Sequence, residues 1–126
     1  MRIEHVAIWV KDLEKMRSFY CEMFQAASNE KYINAKKGFE SYFLTFESGA
    51  RLELMKKQDI DQDQMNNQFG YAHIAFSLGS MNKVDYTTEV LSDYGCKHID
   101  GPRVTGDGYY ESVLLDPEGN TIELTI

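Results

Sequence analysis

Cysteine is scarce in this 126-residue sequence, which has only Cys21 and Cys96, far apart. Neither a disulfide framework nor a cysteine metal cluster can be built from two isolated thiols, so both read as free. Apolar runs are short: none approaches the ~18 residues that a membrane helix needs. No charged, apolar, small-residue leader precedes the first strand-like segment either, so a cytoplasmic protein without membrane association is expected. Positive charge is also in short supply. Lys and Arg total 13 against 20 Asp and Glu, for a formal charge of -7 and a pI near 4.9. A sequence-independent grip on phosphate backbones comes from clustered Lys and Arg, so nucleic acid is a poor partner. Acidity of this size otherwise favours solubility without selecting a substrate.

Core-forming material is plentiful, with 43% apolar and 13% aromatic residues. A chain of this length holds one compact domain, or two packed halves of about 60 residues each. Residues 3–10 are β-branched and aromatic in the manner of a strand. Asp12 then offers a helix N-cap, and Leu13, Met16, Tyr20 and Met23 follow at the spacing of one buried helical stripe. The same grammar returns at 71–78, with Ser80 as cap and a stripe of Met81, Val84, Thr88 and Leu91. His5 and His73, Leu13 and Met81, and Met23 and Leu91 are each 68 residues apart, the mark of an internal repeat.

Shorter strands are expected at 39–47 and 50–56, and again at 98–105, 109–115 and 120–126. A weakly written strand near 27–35 completes the first half, with 36–38 as loop. Asp116, Pro117, Glu118, Gly119 and Asn120 have the chemistry of a tight turn into the last strand. Each half therefore reads as βαβββ, an α+β chain with modules at 1–57 and 71–126. The polar, aperiodic stretch 58–70 connects them.

Strand side chains alternate between faces, which fixes neighbours two residues away. His5 shares a face with Ala7 and Trp9, opposite Val6, Ile8 and Val10; His73 shares one with Ala75, opposite Ile74 and Phe76. Glu53 lies opposite Leu52 and Leu54, and Glu123 opposite Ile122 and Leu124. With the aliphatic face under the helix, all four side chains fall on the other face of a twisted sheet, where they can converge. Taken singly, each His is ordinarily a hydrogen-bonded strand residue and each Glu a solvated one. Repetition changes that balance: 48 residues separate His5 from Glu53, and 50 separate His73 from Glu123. A longer turn near 100–108 would supply the difference. Two imidazoles and two carboxylates suit one divalent ion such as Ni, Zn, Co, Mn or Fe. Such a site polarises a substrate oxygen while a carboxylate, Glu123 or Glu53, moves a proton on the adjacent carbon.

These residues resemble the glyoxalase, bleomycin-resistance and extradiol-dioxygenase superfamily, the vicinal oxygen chelate fold. The carriers are Ile3 to Ala7, Leu52 to Leu54, Tyr71 to Phe76, and above all Asp116 to Leu124. The resemblance implies paired βαβββ modules in a half-open mixed β-barrel with the helices outside, a divalent metal, a small-molecule substrate and a homodimer. A full His, Glu, His, Glu set is similar to glyoxalase I and implies His5, Glu53, His73 and Glu123 as metal ligands. One departure stands out: where glutathione-dependent relatives carry a first-strand arginine, this chain has Val6, Ala7, Ile8 and Trp9, which points away from plain glutathione adducts.

Trp9 reads either as an aromatic wall of the substrate site or as barrel core. Further candidates for the site are Phe39, Tyr42, Arg51, Arg103, Tyr109 and Tyr110, with Arg103 as a clamp for a carboxylate or phosphate. His98 and the cysteines receive no role. The expected function is a metal-dependent lyase or isomerase acting on a small 2-oxo-aldehyde adduct or a related vicinal-oxygen compound. Alternatives are an epimerase, a dioxygenase or a thiol transferase of the same superfamily, or a non-catalytic binder of an antibiotic.

Overall fold

The computed structural model describes residues 1–61 and 69–126, so positions 62–68 of the expected connection lie outside the described residues. The chain divides into two compact units, Met1–Gln64 and Met65–Ile126. In the first unit β1 (His5–Trp9) leads to α1 (Leu13–Phe24), the short strands β2 (Ala27–Ser28) and β3 (Tyr32–Asn34), then β4 (Phe39–Thr45) and β5 (Arg51–Lys57). The second runs β6 (Ile74–Ser77), α2 (Met81–Tyr94), β7 (His98–Val104), β8 (Tyr110–Leu115) and β9 (Thr121–Thr125).

Sheet order is β1-β5-β4, with β2 and β3 both on the far side of β4, and β6-β9-β8-β7 in the second unit. First and last strands pair in parallel in each unit, and every other pairing is antiparallel. Parallel neighbours need a crossover connection. Each unit is therefore a βαβββ module in an α+β chain, and neither sheet closes on itself.

Both helices begin where the sequence places their caps. The Asp12 carboxylate accepts from the Lys15 amide at 3.0 Å, and the Ser80 hydroxyl from the Lys83 amide at 3.4 Å. The first core gathers Leu13, Met16, Phe19 and Tyr20 of α1 over Tyr42, Leu44, Leu52 and Leu54. In the second, Val84, Thr88 and Leu91 of α2 lie with Leu114, Ile122 and Leu124. Two stripe positions need correction. Met81, in the first turn of α2, is 48% exposed, and the expected α1 stripe omits Phe19, which is fully buried. A globular helix buries a stripe wider than one side chain, so Phe19 and Tyr20 both fit within it.

Three local expectations also change. The first strands of the two halves are shorter than 3–10 and 71–78: β1 starts at His5 and β6 at Ile74, and residues 1–4 and 69–73 ahead of them are exposed. Residues 35–37 form a 3₁₀ turn, Ala35–Lys37, whose first amide groups are capped by the Asn34 side chain accepting from Lys37 at 3.2 Å. The two-residue difference between the halves does not lie near 100–108. Sixty-eight residues separate the caps Asp12 and Ser80, but 70 separate the left-handed C-caps Gln25 and Gly95, so the extra pair sits in α2, 14 residues long against 12.

Candidate metal centre

The phase of each strand is set by its leucines and isoleucines. Leu52 and Leu54 are 3% and 0% exposed, and Ile122 and Leu124 are 1% and 0%. Turning either strand over would bring two such side chains into water at about 2 kcal/mol each and bury a carboxylate instead. Glu53 and Glu123 are thereby held on the face away from the helix.

Backbone register then repeats the pairing. In the first unit Ala7 stands opposite Glu53, in the second Ala75 opposite Glu123, and each alanine follows its histidine by two residues. His5 Nε2 lies 3.9 Å from Glu53 Oε2, and His73 Nε2 lies 3.4 Å from Glu123 Oε2. The glutamates, 14% and 18% exposed, are more buried than the histidines at 40% and 44%. Adjacent donors on an ion held at about 2.1 Å stand roughly 3.0–3.4 Å apart in octahedral or tetrahedral shells. Both pairs match that spacing to within a small side-chain adjustment. Among the described residues no three His, Cys, Asp or Glu side chains gather as one ready ligand group. Each unit instead presents its own pair of His and Glu donors.

His5 carries more information than its partner. Its Nδ1 meets Glu4 Oε2 at 2.5 Å, and because an ionised carboxylate only accepts, Nδ1 must hold the proton. In the neutral imidazole this leaves the lone pair on Nε2, the nitrogen 3.9 Å from Glu53 Oε2. Two acceptors facing one another are stabilised by a cation between them, which is what a metal ligand pair requires. The hydrogen bond from His5, with Arg51 on the other oxygen, holds the Glu4 carboxyl below the usual range.

The candidate lining residues separate by face. Trp9 and Phe39 share the open face of the first sheet in an edge-on contact, ring centres 6.2 Å apart, and Tyr32 adds a third ring 6.1 Å from Phe39. Arg51 is on this face too, but it is bound to Glu4 and stacked over Phe43, 4.3 Å from the ring centre.

Tyr42 belongs to the opposite side. Its hydroxyl donates to Glu14 of α1 at 3.2 Å and Arg17 caps its ring, so it ties strand to helix. Tyr110 does the same in the second unit, donating to Asp85 of α2 at 2.5 Å. Arg103 is engaged by Asp100 at 2.6 Å and Glu111 at 3.8 Å within its own hairpin, and Tyr109 stands 55% exposed in the following turn. Strand parity gave the signal for both tyrosines: Tyr42 is in phase with buried Leu44, and Tyr110 with buried Ser112 and Leu114. Phe43 is absent from the sequence candidates, yet its ring meets His5 edge-on at 5.3 Å. It is the cross-strand partner of Glu53 in the ladder, which puts it on the same face.

Solved structures share this fold. A glyoxylase/bleomycin resistance protein/dioxygenase domain from Frankia sp. EAN1pec superposes with a TM-score of 0.85 at 17% identity, over 100% of this chain and 97% of that one. Leishmania major glyoxalase I, described as trypanothione-dependent, gives 0.79 at 22% identity over 99% and 86%. Glyoxalase I from Zea mays gives 0.80 at 23% over 98% of this chain, which spans only 44% of the maize protein. Identities this low establish the fold alone. Sequence carries the assignment further, since the family profile matches residues 2–124, nearly the whole chain: it belongs to the Glyoxalase/Bleomycin resistance protein/Dioxygenase superfamily.

Proposed function

We propose that the protein is a metal-dependent lyase or isomerase of the glyoxalase I kind, with His5, Glu53, His73 and Glu123 as the protein ligands of one divalent ion. The carrying observation is the twofold His and Glu pair, at the same backbone register in both units and on the helix-free face each time. When bound, Ni, Zn, Co, Mn or Fe would supply a Lewis acid for two neighbouring oxygens of a small substrate. The chain's own part is positioning and proton transfer. Glu123 or Glu53 takes a proton from the carbon bearing sulfur in a 2-oxo-aldehyde thiol adduct and returns it to the neighbouring carbonyl carbon. Adduct and product are isomers, so the reaction consumes no dioxygen.

Trp9 and Phe39 offer the substrate an aromatic wall. Arg51 is neutralised by Glu4, so it supplies no unpaired guanidinium for a glutathione carboxylate. With no arginine on the first strand either, this favours a thiol component smaller or less acidic than glutathione. The reading includes a homodimer in the cytoplasm; no helix among the described residues is long and apolar enough to cross a membrane.

The test is turnover under nitrogen of adducts between a 2-oxo-aldehyde and a set of thiols, by protein loaded with nickel, cobalt or zinc. Glu53→Gln and Glu123→Gln should each lower kcat by at least about a hundredfold, the scale of a lost acid-base group. Oxygen uptake with ferrous iron, and no isomerisation with any of the metals, contradicts the proposal.

A further inference from the structure

The two His and Glu pairs are not equally built. Around His5 four side chains close a ring: Glu4 Oε2 accepts from Nδ1, Glu4 Oε1 binds Arg51, Arg51 stacks on Phe43, and Phe43 packs edge-on against the imidazole. The backbone reinforces it, because His5 and Arg51 are register partners and the Arg51 amide donates to the Glu4 carbonyl at 3.0 Å. Around His73 the equivalent places hold Ala72, Thr121 and Val113, 68, 70 and 70 residues beyond Glu4, Arg51 and Phe43. None of those three can accept a proton from an imidazole through an ionised side chain or pair with one that does.

We infer that Glu4 is a positioning residue for metal capture: held by Arg51, it keeps the proton of His5 on Nδ1 and the lone pair of Nε2 turned toward Glu53. A carboxylate on the outer nitrogen fixes both tautomer and ring angle of a ligating histidine and makes it a better donor. Solvent exposure weakens a lone ion pair at this site, but a bidentate link from Glu4 to both Arg51 and His5 restricts the imidazole however little net energy it adds. The first unit then carries the better organised of the two His and Glu pairs.

This inference rests on the metal reading above, and the experiment separates the two. Cobalt(II) is titrated calorimetrically into the full chain as wild type, Glu4→Ala, Glu4→Gln and His5→Ala, and the His5 tautomer is read from ¹⁵N-labelled imidazole shifts in metal-free protein under alkaline conditions, where imidazoles are neutral. Wild type should show Nδ1–H at His5. Glu4→Ala should lose that preference and bind cobalt about 10–100-fold more weakly, the usual cost of removing an outer partner. Glu4→Gln, which keeps an acceptor oxygen without the charge, should fall between. An unchanged tautomer in Glu4→Ala, or a Kd within about twofold of wild type while His5→Ala abolishes binding, overturns the role of Glu4 and leaves the metal site standing. No cobalt uptake by wild type removes both.

Discussion

Glu4 and Ala72 occupy equivalent places ahead of the two histidines, and only the first can hold an imidazole by its outer nitrogen. A similar contrast separates the two thiols. Cys96, 6% exposed behind α2, is pushed up from an ordinary 9.0 to about 11, chiefly by burial and secondarily by the nearby Asp116 charge. Only a thiolate attacks. At pH 8 an aromatic disulfide reagent should therefore modify the part-exposed Cys21 of native protein and reach Cys96 only after denaturant is added; rapid modification of both in native protein would refute this. Because the folded value lies above the unfolded one, the contribution of Cys96 is complete below about pH 9 and is lost as pH rises toward about 11, on the order of 2 kcal/mol in all. The urea midpoint should drop across that window, and a Cys96→Ala variant should drop less.

At the scale of elements, the Asp116 turn has the most to say about the site, because it launches the strand that carries Glu123. Asp116 is buried, and its carboxylate accepts from the Glu118 and Asn120 amides at 2.9 Å and from the Asn120 side chain at 2.8 Å. Removing a buried ionised acceptor leaves these donors unpaired, at about 1–3 kcal/mol for the group as a whole. Asp116→Ala should lose roughly 1–3 kcal/mol of unfolding free energy by urea titration, and a loss below about 0.5 kcal/mol would show that the turn holds without its carboxylate. That turn was legible from five consecutive residues, since its chemistry is local. The second strand of the first unit was not. It breaks between β2 and β3, where the Asn29 side chain takes over ladder duty by accepting from the Phe43 amide at 2.7 Å, so no alternating run is written there. The longer α2 is not written in the apolar pattern for a related reason: its two additional residues, Asp93 and Tyr94, come at the helix end before the Gly95 cap and add nothing to the buried stripe.

For the molecule, two βαβββ units in one chain were readable because buried leucines and a constant 68-residue offset report the same pattern through independent residues. The candidate site was legible as far as strand parity reaches. Parity puts Glu53 and Glu123 away from the helices, and it puts Tyr42 and Tyr110 on the helix face, where each hydroxyl donates to a helix carboxylate. What parity cannot supply is contact between side chains on neighbouring strands, which is why Phe43 and the Glu4 link to Arg51 emerge only from the fold. The central claim concerns the metal. It is tested most directly by elemental analysis of untagged protein purified without chelator, beside a His5→Ala, His73→Ala double variant prepared identically. The account predicts one divalent ion per chain in the wild type and none in the variant; stoichiometric metal in the double variant would contradict it.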